Sequence, residues 1–190
     1  MCALLWVAGV GPRSGRAWAD PPGIAEQSYE ILEVYLSPDE ALRAAFPGAA
    51  RFEREEVTLT PEQSARVSEA AGYPVSERRF AAYRAMAAEG PVGYAVITDE
   101  IGKFHHITFL VGVDPDGRVE GVEVLVYRES RGGEVRHRRF LRQYDGKSIR
   151  DPIRLNRDII NITGATLSVR AINRGVRKVL GVLREAYGIG

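Results

Sequence analysis

The sequence predicts an α+β fold, an antiparallel sheet with a packed C-terminal helix and short helices nearer the N-terminus. Three observations predict it. Two segments, Ser37-Pro38-Asp39-Glu40 and Thr60-Pro61-Glu62-Gln63, carry the same capped helix start. The β-branched and aromatic run Phe104 to Val113 is followed by Asp114-Pro115-Asp116-Gly117 and a second alternating run. The chain then closes on an apolar stripe at three- and four-residue spacing.

Each helix start pairs a capping hydroxyl with proline at the first helical position and an acid or amide three residues after the cap. The first helix should stop before Pro47-Gly48 and the second near Ala71-Gly72. Between them, Arg51 to Leu59 reads as extended. Phe80 to Ala88 leaves helix and strand open, since alanine favours one and the nearby Pro91 and Gly93 the other. Gly93 to Thr98 and Phe104 to Val113 read as strands. At Asp114–Gly117, proline presets φ and glycine accepts positive φ. Val122, Val124 and Val126 then alternate with Glu123, Leu125 and Tyr127, which completes a hairpin. Arg128 to Asn161 is polar and irregular, and a long stretch of that kind is often functional. From Thr166 to about Ala186, Ile172, Val176, Val179, Leu180 and Leu183 form the buried stripe. Arg170, Arg174, Arg177, Lys178 and Arg184 cover the other side.

A chain of 190 residues can build one core. Its formal net charge of +1 gives no overall field for nucleic acid, so no nucleic-acid partner is expected. The single cysteine, Cys2, excludes an internal disulfide and a multi-cysteine metal site. His105 and His106 would point to opposite faces of a strand, a poor geometry for one metal, so none is expected. Residues 1–19 resemble an export signal without its basic start. An apolar run precedes Ala17-Trp18-Ala19, a small-x-small cleavage pattern before Asp20. Residues 20–90 then form an N-terminal helical and extended region packed on the core, and residues 91–190 the main domain. The expected location is periplasmic or otherwise extracytoplasmic, with membrane association open.

Immediately before the last helix stands Ile162-Thr163-Gly164-Ala165-Thr166-Leu167-Ser168. The first turn of a helix has unpaired N–H groups and partial positive charge, so a phosphate at Thr166 would be stabilised. Gly164 tolerates unusual dihedrals and close approach, and Ala165 keeps bulk away from the Thr166 hydroxyl. The same residues also suit a plain turn or cap.

Thr163-Gly164-Ala165-Thr166, between a β-rich block and a C-terminal helix, resembles the FMN-binding domain family. That family includes covalent flavoprotein components of the sodium-pumping NADH:quinone reductase and of the related Rnf complex. The likeness runs from about Gly93 to Leu180. It includes Gly93-Tyr94-Ala95, Ile107-Thr108-Phe109, Asp116-Gly117-Arg118-Val119, Tyr127-Arg128-Glu129 and Gly146-Lys147. The resemblance implies covalent FMN, joined through its phosphate to Thr166 by a separate flavin transferase that uses FAD and a divalent metal. It implies cofactor contacts from Thr163, Gly164 and Ala165, with Glu129 beside the flavin; Ile162, Leu167 and Ser168, next to that motif, are expected to join them, and Tyr127 either packs on the ring or fills the core. Arg138, Arg139 and Arg142 could meet the phosphate or an acidic partner, or form a solvated basic face. The chain departs from the family in two places. Glu129-Ser130-Arg131-Gly132 stands where pump-type members carry Glu-Thr-Pro-Gly. Ile160 occupies the position, six before the acceptor, where an aspartate is common; Asp158 and Asn161 lie eight and five before.

The function so implied is a one-cofactor electron carrier rather than a stand-alone enzyme, passing electrons between a membrane reductase and another membrane or periplasmic redox partner. Two alternatives stay open. One is a flavin-dependent reductase of a small molecule, with Glu129, His105 or His106 as proton donor. The other is a non-redox binding module that keeps the fold without flavin, which Ile160 leaves possible.

Overall fold

The computed structural model describes residues 33–190. The export-signal reading of residues 1–19, Cys2 included, lies outside them. Six strands form one antiparallel sheet in the order β1-β6-β5-β4-β3-β2. They are β1 (Glu33–Val34), β2 (Arg51–Thr58), β3 (Arg79–Ala87), β4 (Gly90–Ile101), β5 (His106–Val113) and β6 (Val119–Tyr127). The helices are α1 (Pro38–Ala45), α2 (Pro61–Ala71), the short α3 (Arg138–Leu141) and α4 (Thr166–Tyr187).

Both early helices begin as their sequences dictate. Ser37 and Thr60 cap α1 and α2, and Glu40 and Gln63 reach back to the capping backbone in complete capping boxes. At the β5–β6 turn, Gly117 has φ +80°. Asp114 Oδ1 accepts from the N–H groups of Asp116 and Arg118 at 2.9 and 2.8 Å. The stripe Ile172, Val176, Val179, Leu180 and Leu183 is buried.

Both faces of the sheet are covered. On one, α4 and α2 pack over Phe80, Phe109, Val111, Val122 and Val124. On the other, α1 and Phe46 cover Ala85, Ala95, Leu110 and Leu125. The Phe46 ring fits a glycine notch: a Cβ on Gly93 would lie 2.2 Å from Phe46 Cε1, and one on Gly112 2.9 Å from Phe46 Cζ. This second layer explains why β6 is buried on both faces instead of alternating.

The structure refines several expectations. The segment from Phe80, left open between helix and strand, is strand as far as Ala87 in β3, because pairing with β2 and β4 outweighs the helix preference of its alanines. The strand expected at Gly93–Thr98 extends over Gly90–Ile101, and Phe104 lies outside β5. Within residues 20–90, β1, β2 and β3 are strands of the sheet itself. Residues 128–161 contain short helical turns, and Val135, Phe140, Leu141, Tyr144, Ile153 and Ile159 enter the core. Lys178 does not lie on a solvated side of α4. It is buried, 2.9 Å from Glu100 Oε1, where Tyr73 also donates to Glu100 and Arg174 approaches it.

Candidate functional site

Three segments converge on a cleft of ≈ 420 Å³. The β4–β5 turn contributes Lys103 and Phe104. The strand-end loop after β6 contributes Glu129, Ser130 and Arg131. The start of α4 contributes Gly164 to Ser168.

The α4 end of the cleft is made by a tight turn. Ala165 N–H donates to Ile162 O at 3.0 Å, with Gly164 at the third position and φ +86°, as such a turn requires of glycine. A Cβ at Gly164 would meet nothing within 4 Å. Its role in this chain is therefore the dihedral, and the space beside it is open. Thr166 follows as the first helical residue. Its Oγ1 accepts from Asn161 Nδ2 at 2.9 Å, while Asn161 Oδ1 is buried without a partner. In contrast to α1 and α2, α4 has no side-chain cap: Ala165 occupies that position and no acid lies in the first turn. The N-terminal N–H groups of a 22-residue helix thus face the cleft without a carboxylate to compensate them.

At the opposite wall, Glu129 is buried. Its Oε1 accepts from the consecutive backbone N–H groups of Lys103, Phe104 and His105, the last two at 2.7 and 3.1 Å. Burial would raise its pKa, but these three donors together hold the carboxyl below the usual glutamate range. Gly102 makes room, since a Cβ there would lie 2.8 Å from Glu129 Oε1. Glu129 is thus a clamp on the β4–β5 turn as well as a wall of the cleft.

Tyr127 is fully buried beneath the site. Its hydroxyl donates to Arg131 O at 2.6 Å and lies 2.8 Å from Ser168 Oγ. It ties the strand-end loop to α4 and does not face the cleft. Gly132, at φ +89°, is needed beside it: a Cβ would lie 2.7 Å from the Tyr127 hydroxyl. Of the other expected contacts, Gly164, Ala165, Leu167 and Ser168 line the cleft. Thr163 is exposed outside it. Ile162 instead lines a neighbouring groove with Arg139, Phe140 and Ile160. Arg138 is paired with Glu123 at 2.6 Å. Asp158 holds Lys147 at 3.0 Å and the N–H groups of Ile153 and Arg154. It closes its own loop, while Ile160 is 75% exposed.

Lys103, Phe104, Ser130 and Arg131 also line the cleft, although the sequence does not mark them as site residues. Lys103 and Phe104 merge with a β-rich run, and only Gly102 before them signals a turn. The residues present suit a phosphorylated aromatic cofactor: an uncapped helix start with a threonine hydroxyl at one end, and the exposed apolar surfaces of Phe104 and Leu167 at the rim. Among the described residues no cluster of three or more potential metal ligands occurs, and no helix is long and apolar enough to cross a membrane.

Comparison with curated proteins finds no match. Among solved structures, the crystal structure of NqrC from Shewanella oneidensis shares the fold, with a TM-score of 0.54 at 15% identity, over 77% of this chain and 86% of that one. Residues 102–181 match the FMN-binding domain family. Every residue lining the cleft falls within that span, so the stretch that is similar to the FMN-binding domain family is the one that builds the cleft, on a fold shared with NqrC.

Proposed function

We propose that this protein binds FMN and is an extracytoplasmic electron carrier, with the FMN joined through its phosphate to Thr166. The observation that carries the reading is the place of Thr166: lining the cleft, in an uncapped helix start, after a turn whose glycine has open space beside it. A phosphate there meets unpaired N–H groups and the positive helix end. FMN supplies the redox chemistry when bound. The chain's own residues hold its two ends. Thr166 and the first turn of α4 take the phosphate, and Phe104 and Leu167 offer apolar surface to the ring. Glu129 keeps the far wall in place. A covalent link also prevents cofactor loss outside the cytoplasm, which accords with an export signal in residues 1–19.

A flavin transferase would make the link from FAD: the Thr166 Oγ–phosphorus bond forms, the pyrophosphate bond breaks, and AMP and the hydroxyl proton leave. Electrons would pass between a membrane reductase and another redox protein.

Co-expression with a flavin transferase should raise the intact mass by one FMN less water. Thr166→Ala should abolish the gain and Thr163→Ala should retain it. A mass gain in Thr166→Ala would refute the attachment site. No gain in the unaltered protein would favour the second reading, a module that keeps the fold without flavin, to which the exposed Ile160 and the engaged Asp158 point. N-terminal sequencing of protein from the native host should begin at Asp20.

A further inference from the structure

We propose that Lys103 is the residue that sets the reduction potential of the flavin in this cleft, and that Glu129 is a positioning residue acting through it. The proposal rests on the flavin reading of the same site. It draws on the pinned β4–β5 turn.

Three charged side chains line the cleft: Lys103, Glu129 and Arg131. They are not equivalent. Glu129 accepts from three amides with one oxygen, so its charge is compensated by the turn it holds. Among the described residues no carboxylate lies within ion-pair distance of the Lys103 ammonium. That ammonium sits 4.6 Å from the centroid of the Phe104 ring, on the same turn, a placement that favours a cation. The turn contributes both side chains to the cleft that Thr166 also lines. Arg131 belongs to the other wall, on a loop held through its own carbonyl by Tyr127.

Electron uptake adds negative charge to a flavin ring, and charge near the ring tunes its potential. A cation on a rigid turn favours the reduced form, because its attraction acts without reorganisation of the chain. A clamp of three N–H bonds supplies that rigidity. Loosening the clamp would disperse Lys103 over many rotamers and weaken the effect.

The test uses full-length protein flavinylated by co-expression, with loading verified by mass before each titration. Lys103→Gln should lower the midpoint potential by about 59 mV, a tenfold change in the equilibrium for one-electron reduction. Lys103→Arg should restore most of it, and Arg131→Gln should shift it less than Lys103→Gln. Glu129→Gln should change the potential in the Lys103 background and change it less in the Lys103→Gln background, since residues that act through one another are non-additive. An unchanged potential in loaded Lys103→Gln overturns the proposal, as does an Arg131→Gln shift of equal size. Additive Glu129 and Lys103 effects overturn the positioning role. Absence of flavin from the unaltered protein overturns the underlying site reading and this proposal with it, an outcome distinct from loaded protein with an unmoved potential.

Discussion

At Glu129 one carboxylate oxygen gathers three successive amide donors, an arrangement that stabilises the charged form. Its folded pKa lies below the ordinary 4.5, so unfolding takes up a proton in the interval between the two values. The stability it contributes is complete above the ordinary glutamate range and is lost as pH falls through the folded value. Urea unfolding of the unaltered protein and Glu129→Gln should therefore converge on acidification. The difference, on the order of 1–2 kcal/mol at neutral pH, should fall away as pH drops from the ordinary glutamate range through the lowered folded value. A pH-independent difference would show that Glu129 acts by packing alone. The sequence placed Glu129 at a strand end leading into the site. It could not show the clamp, because the three donors lie more than twenty residues earlier and meet the carboxylate only through the β4–β5 and β5–β6 pairings.

Helix α4 illustrates how an element's sequence pattern is modified by what packs on it. Gly175 sits in its middle, where alanine would ordinarily stabilise a helix by about 1 kcal/mol. A Cβ there would lie 2.3 Å from Phe109 Cζ and 3.0 Å from Glu100 Cγ. The overlap exceeds the propensity gain, so Gly175→Ala should destabilise the protein by about 1–3 kcal/mol in chemical denaturation. One turn further on, Lys178 is enclosed with Glu100, 2.9 Å away, and donates to Asp99 O at 3.2 Å. Both side chains are nearly inaccessible. Lys178→Ala should cost about 3–5 kcal/mol by leaving Glu100 without this partner. Replacing both with methionine should recover much of that loss, since an apolar pair of similar volume needs no charge compensation. Equal stability of single and double variants would refute the coupling. The heptad-like spacing of α4 was legible because it is local. The buried Lys178 was not, since a lysine in a stripe of cations looks solvated until the acid across the helix–sheet interface is known.

Across the whole molecule, charge is distributed unevenly along the chain. Residues 33–127 carry 9 Lys and Arg against 16 Asp and Glu, whereas residues 128–190 carry 15 against 6. The second stretch contains the loop after β6 and the start of α4, two of the three walls of the cleft. The near-neutral total of +1 conceals this polarity. A positive field around the cleft should speed encounter with anionic redox partners and slow it with cationic ones, both within the reach of salt screening. For flavinylated, chemically reduced protein, oxidation by hexacyanoferrate(III) should slow as ionic strength rises, and oxidation by hexaammineruthenium(III) should accelerate. The same salt response with both oxidants would exclude such a field.

The sequence by itself determined the features that depend on neighbours along the chain. Proline and hydroxyl caps define α1 and α2, Asp114–Gly117 turns the chain, and apolar spacing builds α4. The Thr163–Thr166 string marks the start of that helix and the candidate attachment point. These follow from dihedral preferences and hydrogen bonds spanning a few residues, which short motifs encode directly. Only the tertiary structure decided what faces what. It turned the alanine-rich segment from 80 to 87 into a strand paired on both sides, buried Tyr127, and brought Lys103 to the cleft that Thr166 lines. It also made Glu129 a clamp for a turn that precedes it in the chain. The physical reason is that strand pairing and helix docking join residues distant in sequence, and their energies exceed the weak local preferences of the segments they join.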